Sequence, residues 1–171
     1  MRLVTTAAAM LTLLVPVAPL MAAEMHMKDS LKGVNKVKVE VAFNVAASAD
    51  KASALNRDDI TNLITANVKA AGLQIVVAAP DALVRVTVNV PEAFREDGKT
   101  PLAGVYGVRV DLVVRQDVVL VRNNRIKILA DTWWMTKSTY RETAKIQETV
   151  KLFLEKDVMK EFIQDRKAAN P

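Results

Sequence analysis

YGVRVDLVVRQDVVLVRNNRIKILADTWWMTK, running from Tyr106 to Lys137, is the stretch that decides the fold. From Tyr106 to Val121 the even positions Val108, Val110, Leu112, Val114, Val118 and Leu120 are apolar, the period-two pattern of a long half-buried strand. Asn123-Asn124 predicts a tight hairpin tip, because asparagine tolerates the positive φ of two-residue turns. A second strand returns from Ile126 to about Lys137. That turn sets Val114 opposite Trp133 and Leu112 opposite Met135. It also sets Gln116 opposite Asp131 on the apolar face, which predicts a bulge nearby or a local hydrogen-bonded pair.

Beyond the hairpin, Thr139 and Glu142 have capping-box spacing. The helix they predict carries Ile146, Val150, Phe153, Leu154, Val158 and Phe162 on one stripe, and Lys167 to Pro171 is expected to fray. Before the hairpin, Pro91 to Gly104 reads as a long connection, a length more often functional or mobile than short loops are. Upstream of it lie a strand at Leu83–Val90, a Pro80-Asp81 turn and a strand at Leu73–Ala79. An earlier helix is marked at both ends. Asn56 is its N-cap, Asp58 and Asp59 favour the positive end of the helix dipole, Leu55 and Ile60 are spaced as a hydrophobic staple, and Gly72 is the left-handed stop. Its apolar face is Ile60, Leu63, Ile64, Val68 and Ala71. The first strand alternates Val37, Val39, Val41, Phe43 and Val45 with polar residues, and Ala46 to Ala54 reads as a mobile loop.

The order is β-α-β-β-β-β-α. It predicts an α+β domain, a largely antiparallel sheet of about five strands with two helices packed on one face. The domain is expected over residues 36–167, preceded by a tail at 24–35 and followed by a frayed end at 168–171.

The first 23 residues have the form of a secretory signal peptide. Arg2 is the only charge before Glu24, an apolar run follows, and Ala22-Ala23 is a small-residue exit. Pro16 and Pro19 interrupt a segment already short for a bilayer, which needs about 20 apolar residues, so no membrane anchor is expected in the mature chain. A periplasmic or secreted location follows. With no cysteine, the chain has no disulfide framework, thiolate zinc site, cysteine nucleophile or lipidated cysteine. The net charge of +5 falls to +4 without Arg2, a modest excess compatible with anionic envelope surfaces. A nucleic-acid partner is not expected outside the cytoplasm.

No enzyme constellation is legible. The strand acids Asp29, Asp81, Asp111, Asp117 and Asp131 have no spacing specific to acid–base work and read as solvated. The serines have no histidine partner within the domain, and there is no glycine-rich phosphate loop. Trp133-Trp134 is the most unusual dipeptide: strand neighbours point to opposite faces, so one belongs under the helices and the other on the open face. The open one is either a cover for the sheet, a dimer contact, or an aromatic anchor for a ligand or partner. Arg122, Arg125 and Lys127 at the hairpin tip either meet lipid or glycolipid phosphates or keep the strand ends soluble. The single histidine is His26. No cofactor is expected, the alternative being a metal at the mature N-terminus: cleavage after Ala23 would place His26 third, where Glu24, Met25 and His26 can hold Cu(II) or Ni(II) through the amine, two deprotonated amides and the imidazole. Met25 and Met27 add thioethers suited to Cu(I).

The words Asp29-Ser-Leu-Lys-Gly33 and Ala71-Gly-Leu-Gln-Ile75, the run Val105 to Asn123, Thr132-Trp133 and the ending Ala168-Ala-Asn-Pro171 resemble a family of uncharacterised bacterial exported proteins. The resemblance implies an envelope location and brings no catalytic residues. The element order is also similar to the small α/β domain of the outer-membrane lipopolysaccharide-assembly lipoprotein, without its lipid-bearing cysteine. The expectation is a soluble periplasmic binding or accessory module for an envelope protein, lipid or glycan. A copper-binding protein and an enzyme assembled from distant residues are the alternatives.

Overall fold

In the computed structural model, which describes residues 27–53, 55–120 and 122–171, strand alternation produces one mixed sheet. Its strands are β1 (Lys36–Val45), β2 (Gln74–Ile75), β3 (Ala82–Val90), β4 (Glu92–Phe94), β5 (Pro101–Leu120) and β6 (Asn123–Glu142). β1 is parallel to both β2 and β3, and β5 is antiparallel to β3, β4 and β6. The parallel pairs arise because β1 reaches β2 and β3 through a helical crossover, whereas a hairpin joins β5 to β6. The architecture is α+β and largely antiparallel, with six strands where about five were expected.

The extra strand lies inside the expected long loop. Asn89 pairs with Arg109 and Glu92 with Tyr106, so β4 continues the line of β3 past Pro91. The following turn closes on Asp97, whose carboxylate accepts from the Lys99 and Thr100 amides and the Thr100 hydroxyl. These bonds to its charged form hold Asp97 below the usual carboxylate range. Two other segments differ from expectation. Residues 47–52 form a short helix, α1 (Ala47–Ala52), instead of a loop, and the strand expected at Leu73–Ala79 pairs only at Gln74–Ile75. There Asp81 takes over: its carboxylate accepts the Asn35 and Lys36 amides at 2.9 and 2.7 Å, fixing where β3 starts beside β1.

Helix α2 (Arg57–Ala70) has the ends its sequence encodes. The Asn56 side chain accepts the Asp59 amide at 3.1 Å, and Gly72 turns the chain at φ 78°. The C-terminal helix runs as α3 (Ile146–Leu152), a π turn (Phe153–Val158) and α4 (Met159–Ala169). Its buried stripe, Ile146, Val150, Leu154, Val158 and Phe162, is spaced four residues apart throughout. In a regular α-helix each such step overshoots a full turn by about 40°. The wider π turn absorbs that drift and keeps the stripe on the sheet. Thr139 and Glu142 do not cap this helix. Both remain in β6, Thr139 paired with Val108 and Glu142 with Val105, because ladder hydrogen bonds outcompete a local cap.

The core lies between these helices and one face of the sheet. Val84, Val86 and Val88 of β3 and Val108, Val110, Leu112 and Val114 of β5 meet Ile60, Ile64 and Val68 of α2 and the C-terminal stripe. Each such side chain contributes about 1.5–3 kcal/mol by leaving water, offset by the entropy of ordering it.

The chain ends are fastened to each other. The Gly33 amide donates to Asn170 Oδ1 at 2.8 Å, and Asn170 Nδ2 donates to the Leu31 and Arg166 carbonyls at 3.0 Å. Residues 168–170, expected to fray, are therefore held, and Ala169 is buried. Within the expected N-terminal tail, a 3-10 turn (Met27–Leu31) packs on the domain and buries Leu31. The signal-peptide residues 1–23, together with Glu24, Met25 and His26, lie outside the described residues.

Candidate functional site

The β5–β6 register decides what the open face presents. Leu112 opposes Met135 and Val114 opposes Trp133, as the sequence predicts, and the ladder then shifts between Val114 and Arg115. Thr132 is the extra residue of that bulge, so Gln116 faces Ala130 and Asp131 faces Arg115. The polar residues of the stripe stitch the bulge. Gln116 Nε2 donates to Thr132 Oγ1 at 2.7 Å and to the Ser30 carbonyl at 2.8 Å, and the Ser30 hydroxyl donates to the Thr132 carbonyl at 2.9 Å. Asp131, moved to the open face, ion-pairs with Arg115 and reinforces the protonation of its guanidinium.

The two tryptophans separate across the sheet. Trp133 is 1% exposed, packs edge-on against Phe162 at 5.4 Å, and donates its indole N–H to Asp165 at 2.9 Å. Of the two candidates it is the one under the helices, a core residue and not a ligand contact. Trp134 pairs with Val113 on the open face and is 54% exposed.

Around Trp134 the face carries a polar network centred on Asp111. This carboxylate accepts Asn89 Nδ2 at 2.9 Å, Arg109 Nε at 2.8 Å and the Thr136 hydroxyl at 2.7 Å, while Asn44 donates on to Asn89. With its side chain only 15% exposed, Asp111 is an anchored hub and not the solvated acid expected. A hollow of about 530 Å³ opens here, lined by Thr87, Arg109, Asp111, Val113, Asp131, Trp134 and Thr136. Arg109 also lines a second hollow of about 560 Å³, with Phe94, Gly107, Ser138 and Tyr140 on its walls. A side chain at Gly107 would meet the Pro91 ring at 3.2 Å, so the space beside Tyr140 depends on glycine there.

Trp134, Thr136, Ser138 and Tyr140 alternate along one face of β6. Six residues separate Trp134 from Tyr140, about 20 Å of strand. The two hollows adjoin at Arg109, which lines both, so the groove they make has Arg109 between its halves and an exposed aromatic ring near each end. Its cations are paired, Arg109 with Asp111 and Arg115 with Asp131, and Glu92 on the wall of the second hollow accepts the Ser48 hydroxyl. Tyr140, Arg109 and Asp111 were not identified from sequence. The available signal was the shared parity with Trp134, which ending the strand near Lys137 cut short.

Arg122 and Arg125 are exposed at the far end of the hairpin, away from this groove. The ladder closes at Leu120 and Asn123, so the asparagines lie in β6 and are not the tip; the register shifts by one residue after Val114 and by more between Val119 and Leu120. Among the described residues, no group of three His, Cys, Asp or Glu side chains is placed to hold a metal, and no helix is long and apolar enough to cross a membrane.

No protein-family model matches the chain, and no curated protein matches it. Solved structures that overlap it include a PelC dodecamer from Paraburkholderia phytofirmans, at 14% identity over 78% of this chain and 86% of that one, with a TM-score of 0.39. A minor lipoprotein from Acinetobacter baumannii overlaps at 14% identity over 80% of this chain and 93% of that one, with a TM-score of 0.30. Lipoprotein GNA1162 from Neisseria meningitidis overlaps at 13% identity over 63% and 83%, with a TM-score of 0.33. Overlaps of this extent carry nothing about the ligand or partner of this chain.

Proposed function

We propose that this protein is a soluble, exported binding module of the bacterial envelope that lays a neutral glycan along the open sheet face between Trp134 and Tyr140. The observation that carries the reading is the groove's composition: exposed aromatic rings toward both ends and a polar floor whose cations are already ion-paired. A sugar ring stacks its C–H face on an indole or phenol and directs hydroxyls sideways to fixed donors and acceptors. Arg109 and Thr136, locked by Asp111, supply such groups already oriented, which lowers the entropy of binding. An anionic ligand gains no net attraction where the cations are already paired. An extended peptide would add along the outer edge of β6, which pairs with β5 alone, whereas this groove lies across the face of the two strands. Export rests on the N-terminal sequence pattern.

The test is a fluorescence titration of the protein with cellohexaose and chitohexaose, with an alginate hexamer as the anionic comparison. The neutral oligomers should shift tryptophan emission saturably. Trp134→Ala should abolish the shift with an unchanged melting temperature, and Tyr140→Ala should weaken affinity about tenfold, as expected for one stacking contact. No saturable response to either neutral oligomer, or equal affinity in Trp134→Ala measured by calorimetry, would overturn the reading.

A further inference from the structure

A second surface lies at the other end of the hairpin and does not depend on the groove. β3 pairs with β5 only as far as Arg115. From Gln116 onward β6 is the only strand beside β5, with the 3-10 turn bonded at the base through Ser30, and the pair runs on as a two-stranded ribbon to Leu120 and Asn123. Five residues at about 3.3 Å each carry it about 16 Å beyond the sheet.

This ribbon concentrates exposed apolar side chains. Val119, Leu120, Ile126, Ile128 and Leu129 are between 38% and 59% exposed. They are five of the twelve large hydrophobic residues exposed among the described residues. The register distributes them over both faces: Val119 and Leu129 fall on the open side, while Ile128, opposite Val118, falls on the helix side. Arg122, Arg125 and Lys127 are interspersed with them, against the single acid Asp117.

We infer that the tip of the β5–β6 hairpin docks end-on into an anionic phospholipid surface. A flat protein partner covers one side of a ribbon and leaves the other in water, whereas the lipid interface surrounds the tip and takes up both. Charge points the same way. A symmetric contact between the tips of two copies brings six cations together, while anionic headgroups attract all three of one tip, each raising the partition coefficient about fivefold. Long basic side chains leave their stems with the apolar residues and carry their charges to the phosphates. The unpaired edges of the ribbon limit the depth, since backbone amides need water, so the tip rests in the interface and does not span.

Co-sedimentation of the protein with phosphatidylglycerol–phosphatidylcholine vesicles tests this, with phosphatidylcholine vesicles alone in parallel. Binding is expected on the mixed vesicles only, decreasing with added salt. Arg122→Glu with Arg125→Glu should lower it at least tenfold. The reversal Lys156→Glu with Lys160→Glu, equal in charge and on the C-terminal helix, should change it about twofold or less. Val119→Ser with Leu129→Ser should also weaken binding at low salt, with an unchanged melting temperature because both positions are exposed. The inference fails if the protein stays with the supernatant at low salt, or if the tip reversal binds as well as the helix reversal. It fails equally if sedimentation equilibrium shows a dimer that Val119→Ser with Leu129→Ser dissociates while vesicle binding is absent, because a second copy then covers the tip. Loss of vesicle binding leaves the oligosaccharide titration untouched, so the two readings fail separately.

Discussion

Replacing Trp133 by phenylalanine should destabilise the domain by about 2–4 kcal/mol, and the structure supplies the parts of that figure. The indole N–H donates to the Asp165 carboxylate at 2.9 Å, and a hydrogen bond to a charged group contributes about 1.5–3 kcal/mol. The lower half of that range applies because Asp165 is part-exposed and water replaces the lost donor. Phenylalanine also leaves about 40 Å³ unfilled against Phe162, which at about 24 cal/mol per Å³ adds roughly 1 kcal/mol. For a domain of this size, about 3 °C of melting temperature corresponds to each kcal/mol, giving a drop of about 6–12 °C. Thermal and urea melts followed by far-ultraviolet circular dichroism measure it. A double-mutant cycle with Asp165→Ala isolates the hydrogen bond and should return a coupling of at least about 1 kcal/mol. A melting temperature within about 1 °C of the parent, or an additive cycle, would refute the assignment of Trp133 to the core and of Asp165 as its partner.

Two further outcomes follow from other contacts. Asn170→Ala removes the two hydrogen bonds fastening the helix end to the Leu31–Gly33 turn, with a third to Arg166, and should cost about 1–3 kcal/mol, read as a lower urea midpoint; an unchanged midpoint would show those bonds to be dispensable. The Lys36 and Asn35 amides hold Asp81 below the usual carboxylate range, so its contribution to stability is present above about pH 4 and is lost as pH falls through the lowered value. Asp81→Asn should therefore flatten the acid limb of the melting temperature against pH, and an acid limb parallel to the parent's would contradict it.

Where the code is local, the sequence was legible. Asn56 and Gly72 bound α2 within a residue of where the helix forms, and Leu112 and Met135 meet as their hairpin spacing requires. The misreadings share a cause: a long-range pairing prevailed over a local signal. Thr139 and Glu142 spell a cap but sit in a ladder, and the asparagine pair spells a tip but lies beyond shifts in the register. The Gly98 and Pro101 punctuation hides that β4 carries on from β3. For the candidate site, strand alternation sufficed to separate Trp133 from Trp134. Asp111 looked like one solvated acid among several because its partners Asn89 and Thr136 come from neighbouring strands that no local spacing connects.

The clasp between Asn170 and Gly33 also bears on when the fold closes. The bonded groups stand 137 residues apart in the chain, so the contact waits until Asn170 has left the ribosome. Until then the turn leading into β1 is left without its latch. Loop closure over that span costs most of its entropy in bringing the ends near at all and little more for each added residue. The collapse of β1, β3 and β5 onto α2 must already have drawn the ends together, which makes the clasp a late event. A nascent or clipped chain ending before Asn170 should therefore have a nearly complete core and an open seam, the kind of partly closed species on which proteases and chaperones act.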